Sequence, residues 1–361
     1  MTHYEERLER DLSLIREKLS GLAESVSTAL ELACRALFTS DEKLAHQVVL
    51  GDLPINRASR DLDKTCHRFF AVHLPSAGHL RFVSAVMRVN LELERIGDYA
   101  GTICKESTQI GHRPNQAIGT DLEQMATASR AILSQALQDF QEGNAEQARL
   151  NADKGREVTR GFERVFKALV EEEGRLPAAE LLYYLVVFTR FCRVVDQARN
   201  ICEETVFAIT GEPKAPKSYQ ILFLDEGNST LGPMAEAIAR KHFPNSGVYS
   251  SAARQAAETL DPNLGSFLES RGISSNDLTP TALDPAADLS GFHVIVSLQG
   301  TVRSYVETIP YQTIALEWEV DGTPTSDGGA TTEELEHLYR ALVHQVEDLM
   351  ATMHGDEVPP T

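Results

Sequence analysis

The first two hundred residues carry apolar positions at intervals of three and four. Leu8, Leu12, Ile15, Leu19, Leu22, Val26, Ala29, Ala33 and Leu37 draw a single stripe down one long helix, with Glu, Arg, Lys and Ser on the other side. Similar stripes run through Phe82–Ile96, Leu122–Phe140, Val158–Val170 and Leu181–Val195. A helix with one apolar face must bury it against others, so the spacing predicts a helical bundle. Strand-like alternation is almost absent here. Pro75 and Pro177 stand just before helical runs, where a helix start tolerates proline.

The pattern changes after Gly211. Residues 213–218 contain Pro213 and Pro216 and read as a linker. Gln220–Leu224 is a short apolar run of the kind a buried parallel strand shows. A loop from Asp225 to Gly232 follows, then a helix opened by Pro233. Val248–Ser250, His293–Leu298 and Thr313–Leu316 suit further strands, and Leu260–Arg271 and Glu333–Met353 suit helices. The expected fold class is multidomain: an all-α N-terminal part followed by an α/β domain with a doubly wound parallel sheet. Strand, glycine-bearing loop and helix N-terminus together suit an anion, because free N–H groups and the helix dipole point into the loop.

The helical part repeats itself. Arg95, Asp98, Ala100, Ile103, Cys104 and Glu106 recur as Arg193, Asp196, Ala198, Ile201, Cys202 and Glu204, each 98 residues later. The Ala, Ile and Cys positions are accounted for by two similar apolar faces; the paired Arg and Asp are not.

Charge sharpens the division. The chain of 361 residues has a net charge of -19, and residues 219–361 hold 6 basic against 21 acidic side chains. Such a balance argues against binding a nucleic-acid backbone. No apolar run is long enough for a membrane span, and the charged start MTHYEERLERD is unlike a secretory signal, so a cytoplasmic location is expected. The five cysteines, Cys34, Cys66, Cys104, Cys192 and Cys202, form no CxxC pair and suit reduced, buried thiols. None lies beyond residue 202.

Carboxylates are the candidate chemistry of the helical part. Glu94 and Asp98 are four apart and share a helix face, as do Asp153 and Glu157. Asp63, with Asp61 beside it, lies on the helix before the first pair, and Asp196 on the helix after the second. Facing helices would bring such acids together, where a cation would relieve their repulsion. The other reading is ordinary surface acids paired with Arg95 and Arg193.

Leu74-Pro75-Ser76-Ala77-Gly78-His79-Leu80-Arg81-Phe82, Leu93-Glu94-Arg95-Ile96-Gly97-Asp98 and Arg199-Asn200-Ile201-Cys202-Glu203-Glu204, with Thr210-Gly211-Glu212 at the end, resemble the PhoU family of phosphate-uptake regulators over residues 5–212. The resemblance implies two three-helix bundles in tandem (about 5–110 and 118–212), no catalysis and frequent homodimers. It also implies partners: a phosphate-transporter ATPase and a phosphate-sensing histidine kinase. Some members hold iron or zinc on an acid-x-x-x-Asp motif carried by two helices of each repeat. Glu94 and Asp98 match that motif fully, while Ser59-x-x-x-Asp63 and Cys192-x-x-x-Asp196 have each lost the first acid; Asp153-x-x-x-Glu157 matches in type. The implied ligands are Asp63, Glu94, Asp98, Asp153, Glu157 and Asp196.

Residues 219–355 resemble low-molecular-weight protein tyrosine phosphatases and the related thiol-dependent arsenate reductases. Gly227-Asn228-Ser229 and Pro233-Met234-Ala235-Glu236-Ala237 match the phosphate loop and its helix; Tyr249-Ser250-Ser251-Ala252 and Leu268-x-x-x-Gly272-Ile273 also fit. The family's nucleophilic cysteine falls at Asp225, its phosphate-clamping arginine at Leu231 and its assisting serine at Gly232. Asp321 falls where the general acid stands, without the proline that follows it in the family. The chemistry needs a thiolate attacking phosphorus and a guanidinium fork on its oxygens. Asp225 and Glu226 are instead expected to put negative charge where a dianion would sit. The expected function is a non-enzymatic, PhoU-like regulator carrying an inert pseudophosphatase module for binding or assembly. The alternatives are an active phosphatase or arsenate reductase, and a metal-dependent enzyme using the helical carboxylates.

Overall fold

The structure is a computed structural model and describes residues 3–160, 162–214, 218–284, 287–320 and 329–354. It divides into two units, Met1–Lys214 and Ala215–Thr361.

The first unit is helical. Its first repeat comprises α1 (His3–Thr39), α2 (Glu42–Leu50), α3 (Asp52–Val72) and α4 (Ala77–Ile110); its second comprises α5 (Gln116–Glu142), α6 (Ala145–Arg160), α7 (Phe162–Glu171) and α8 (Ala178–Thr210). Each repeat is a long helix, a return leg and a second long helix, and in the first repeat the return leg is two helices. The break after α2 has a local cause. Pro54 has no N–H to give, so it fits only in the first turn of a new helix, and α3 starts at Asp52. Asp41 caps α2 through the Leu44 amide at 2.9 Å, and Ser76 and Asn115 cap α4 and α5. Gly111 and Gly211 end α4 and α8 with φ of 71° and 81°, a left-handed turn that glycine enters without strain.

The two repeats share one core. Leu12 and Val26 of α1, Val86 and Ile103 of α4, and Phe188 and Ile201 of α8 all belong to it. Two self-contained three-helix bundles would need α4 and α8 to be apolar on one stripe each. Both are apolar on two sides, with Val83, Val86, Leu93 and Ala100 but also Ala85, Val89, Ile96 and Ile103 buried on α4. They therefore pack on each other and run antiparallel: Arg88 pairs with Glu204 at 2.7 Å, and Gln197 Nε2 donates to Tyr99 Oη at 3.2 Å. Tyr99 and Gln197 are 98 residues apart, equivalent positions of the repeat. Equivalent residues touch only beside a two-fold axis, so the repeats are related by a pseudo-dyad there. The five cysteines are buried, and burial pushes each thiol up to about 12, which leaves no thiolate at neutral pH. Among the described residues no helix is long and apolar enough to cross a membrane.

The second unit holds a four-stranded sheet in the order β2-β1-β3-β4, every pairing parallel. The strands are β1 (Tyr219–Asp225), β2 (Gly247–Ala253), β3 (Val294–Ser297) and β4 (Ile314–Glu317). Alternate residues of the central strands face opposite sides. Ile221, Phe223, Val294 and Val296 pack with α9 (Leu231–His242), α10 (Leu264–Glu269) and α11 (Thr332–His354), while Leu222, Leu224 and Ile295 pack with Leu289, Val302 and Tyr305. This is the expected doubly wound α/β arrangement. The helix expected over Leu260–Arg271 is shorter, since Pro262 and the Asp261 carboxylate, which accepts the Asn263 and Ala330 amides, tie its first residues into a turn. Strand order reverses between β1 and β3, and such a reversal opens a crevice at the carboxyl ends of the strands. Asp225 stands at that point.

Candidate functional site

Asp225 is the last residue of β1 and only 4% exposed. Its Oδ1 accepts the Asn228 amide at 2.7 Å and its Oδ2 the Gly232 amide at 3.0 Å. Burial pushes its carboxyl above the ordinary range, opposed by those two amides and reinforced by Glu226. The expected pair of negative charges facing an incoming dianion is therefore half corrected. Glu226 is exposed, but Asp225 is turned inward and bound by the loop's own N–H groups. The reason is that those amides, left free, would be buried donors without acceptors.

The rest of the loop is equally committed. Leu231, the first residue of α9, is 2% exposed and belongs to the core, so the position that holds arginine in the resembled family is here part of the apolar packing. Asn228 is fully buried, adopts φ 49°, and accepts the Thr281 amide on Oδ1 at 2.8 Å. Gly227 and Ser229 give their carbonyls to the amides of Ala257 and Asp261 at 2.8 and 3.0 Å. A Cβ at Gly232 would stand 2.5 Å from Asn228 Nδ2 and 3.2 Å from Asp225 Oδ1, so this close approach requires glycine. Behind the loop, Glu236 of α9 is 7% exposed; Ser251 Oγ donates to it at 2.6 Å and Arg240 pairs with it at 2.5 Å. Tyr305 is buried near the loop, and burial first, then Asp225 and Glu226, push its hydroxyl up to about 12. Trp318 packs against Phe223 with ring centroids 5.9 Å apart. Asp321 lies outside the described residues. The loop thus offers neither thiol nor guanidinium, and no cysteine follows residue 202.

In the helical unit the structure regroups the expected carboxylates. Gly97 of α4 approaches Ile55 of α3 so closely that a Cβ would meet it at 3.2 Å, and Asn90 Nδ2 donates to the Ser59 carbonyl at 3.0 Å. This register carries Asp63 past the level of Asn90, away from Glu94 and Asp98, and Asp63 instead meets His67 at 3.3 Å. Asp61 pairs with Lys18 of α1. Ser59-x-x-x-Asp63 is thus not the partner of Glu94 and Asp98. That place belongs to Asp52 and Asn56, the same spacing two turns earlier. Partial burial, then Glu94, then Asp52 within hydrogen-bonding reach, push the Asp98 carboxyl up. Asn56 Nδ2 donates to Asp52 Oδ2 at 2.7 Å, while Asp52 Oδ1 and Asn56 Oδ1 are buried without a partner. The signal was present in the sequence: Asp52-x-x-x-Asn56 has the four-residue spacing and directly follows Gly51.

The second repeat differs. Asp153 pairs with Arg156, and Glu157 is exposed. Asp196 is held by Arg193 at 3.2 Å and Arg199 at 3.6 Å; burial raises its carboxyl and the two arginines oppose the rise. The Arg199 stem lies over Gly155, where a Cβ would be 2.7 Å from its Cγ and Cδ. Here the ion-pair reading describes the structure, and guanidinium already supplies the positive charge. Cys192 is buried with its thiol at about 12 and offers no thiolate. Among the described residues, no group of three or more His, Cys, Asp or Glu is placed to hold a metal ion. The first-repeat cluster still fits a hard, oxygen-seeking cation in kind, because its two buried oxygens lack donors. The second does not.

The helical unit has counterparts among known proteins. Residues 19–107 match the family model of the PhoU domain. The phosphate-specific transport system accessory protein PhoU of Serratia marcescens is 26% identical over 219 residues, spanning 58% of this chain and 87% of that protein. The crystal structure of the phosphate transport system regulatory protein PhoU from Streptococcus pneumoniae superimposes with a TM-score of 0.53 at 28% identity, covering 57% of this chain and 98% of that one. PhoU from Pseudomonas aeruginosa gives a TM-score of 0.54 at 26% identity, covering 56% and 99%. PhoU proteins are thus matched nearly end to end, and the α/β unit is additional to them. A thioredoxin-dependent arsenate reductase of Corynebacterium glutamicum is matched at 17% identity with a TM-score of 0.32, too distant a likeness to bear on the chemistry.

Proposed function

We propose that this chain is a PhoU-like accessory regulator of phosphate transport that works through protein contacts, with an α/β unit that performs no phosphatase chemistry and serves binding or assembly. The observation that carries the first half is the near end-to-end match of solved PhoU chains at TM-scores of 0.53 and 0.54. Support for the second half is the state of the loop: Asp225 buried on the loop amides, Leu231 in the core and no thiol in the unit. The partners proposed are a phosphate-transporter ATPase and a phosphate-sensing histidine kinase, in the cytoplasm, with the chain as a homodimer and without nucleic acid or membrane insertion. A cation, iron or another oxygen-seeking ion, belongs in this reading only at Asp52, Asn56, Glu94 and Asp98. Bound there, it would offset the repulsion among three carboxylates and tie α3 to α4. An affinity pull-down from cells grown with scarce and plentiful phosphate tests the regulatory half. Recovery of the transport ATPase or the kinase is expected, and consistent recovery of neither refutes it. Turnover of p-nitrophenyl phosphate by the purified chain, abolished by Asp225→Ala, would refute the inert half.

A further inference from the structure

Arg57, Arg60, Lys64 and Arg68 lie on α3 at spacings of three, four and four, which sets them in one row about 16 Å long on the outer face of the helix. All four are exposed. Among the described residues, none of the four makes an ion pair or a hydrogen bond. The acid beside them, Asp61, is engaged by Lys18 of α1. In a chain of net charge -19 a cation finds an acid readily, and Arg88, Arg95, Arg149, Arg156, Arg175 and Arg193 of the same unit all do. The row on α3 stands apart from them. It leads toward an apolar knob. Leu74, in the connection between α3 and α4, is 92% exposed, with Val72 at 44% and Tyr4 at 47% close by. The Leu74 backbone is clamped on both sides: Tyr4 Oη accepts its N–H at 3.0 Å and donates to its carbonyl at 3.3 Å. His73, with its side chain 1% exposed, reaches Asp11 of α1 through Nε2 at 2.9 Å, and Ser76 caps α4 just beyond Pro75. A side chain presented on a fixed backbone loses little freedom on binding, so Leu74 is built as an anchor.

We propose that the outer face of α3, together with Leu74, is a docking surface for another protein, one that offers an apolar pocket to the leucine and acidic side chains along the row. The charge balance selects a protein over other anionic surfaces. A nucleic acid or an anionic bilayer carries its charge continuously and would meet the chain's -19 as well as these four cations. A protein can place its acids opposite the row alone, within the roughly 8 Å over which a charge is felt at physiological salt. The inference rests on the reading that the chain works through protein contacts, and it adds the face used and the chemistry that face meets.

The test replaces Leu74 with the photo-crosslinker p-benzoylphenylalanine in the full chain and irradiates the cells that make it. The same probe at Leu182, which is 60% exposed on α8, is the control. One identified protein is expected to be captured at position 74, and Arg60→Glu with Lys64→Glu should cut its yield at least about fivefold, because two attractions become repulsions. Capture no greater than at position 182, capture only of lipid or of a second copy, or a yield unchanged by the charge reversal in a chain that keeps its circular dichroism overturns the proposal. If the reversed chain does not fold, Arg60→Gln with Lys64→Gln takes its place. The expected loss is then at least about twofold, and no loss overturns the proposal. The identity of the captured protein is a separate outcome. If neither the transport ATPase nor the kinase is recovered by pull-down or by capture, while a different protein meets the charge criterion, the assignment to phosphate transport falls and the docking surface stands. If either is pulled down and position 74 captures nothing, only the docking surface falls.

Discussion

Ser251→Ala probes the ground on which the α/β loop stands. Glu236 lies on α9, whose first turn supplies the Gly232 amide to Asp225, and it is 7% exposed. Three groups support its charge: the Ser251 hydroxyl on β2 at 2.6 Å, Arg240 at 2.5 Å, and the Ser251 backbone amide, which the substitution leaves in place. The arginine side chain is 44% exposed, so solvent screens its contribution. The hydroxyl is the buried partner, and a hydrogen bond to a charged group contributes roughly 1.5–3 kcal/mol. Removing it should destabilise the α/β unit by about 2 kcal/mol, a fall in melting midpoint of roughly 5 °C for a unit of this size. The pH dependence carries a sign. Burial already raises the Glu236 carboxyl above its ordinary range, with Ser251 opposing. Without Ser251 it rises further, so the folded variant holds its proton to higher pH. The deficit against wild type should then shrink as pH falls through the raised carboxyl pKa and be full on its alkaline side. Scanning calorimetry of the full chain measures both effects, with the transition of the helical unit as an internal reference. A midpoint within about 1 °C of wild type on the alkaline side, against the roughly 5 °C expected there, would show that the hydroxyl does not support the carboxylate.

Asp98→Asn should stabilise the helical unit slightly at neutral pH, by a few tenths of a kcal/mol after solvent screening, because burial, Glu94 and Asp52 already disfavour its charge. In the wild type that cost is absent at low pH and appears as pH rises through the raised carboxyl pKa. A thermal denaturation series should therefore show the variant's advantage only on the alkaline side. Gly232→Ala should cost the α/β unit about 1–3 kcal/mol through overpacking against Asn228 Nδ2, read from urea unfolding followed by Trp318 fluorescence. If the first-repeat cluster takes a cation, Glu94→Gln should weaken iron retention of the purified chain by about tenfold, and Asp153→Asn should leave it unchanged.

Much of this protein was legible as a string. The three-and-four spacing from Leu8 to Leu37 predicts α1 nearly to its end, the run Gln220–Leu224 falls inside β1, and the prolines and glycines mark the helix boundaries. Side-chain period is a local property, set by 3.6 residues per turn or two per strand repeat, so local pattern suffices. That no cysteine follows residue 202 and that leucine stands at position 231 were legible too, because both are facts of composition. What neighbours what was not legible. Four-residue spacing identifies acids on one helix face but says nothing of the axial shift between two helices. The contact of Gly97 with Ile55 sets that shift, and it exchanges Asp63 for Asp52 and Asn56. Likewise, the sequence shows an acid at position 225, but only the folded loop decides that its carboxylate turns inward to the Asn228 and Gly232 amides. Burial and hydrogen-bond partners are properties of packed surfaces, and packing depends on register between elements that the chain's own periodicity leaves free.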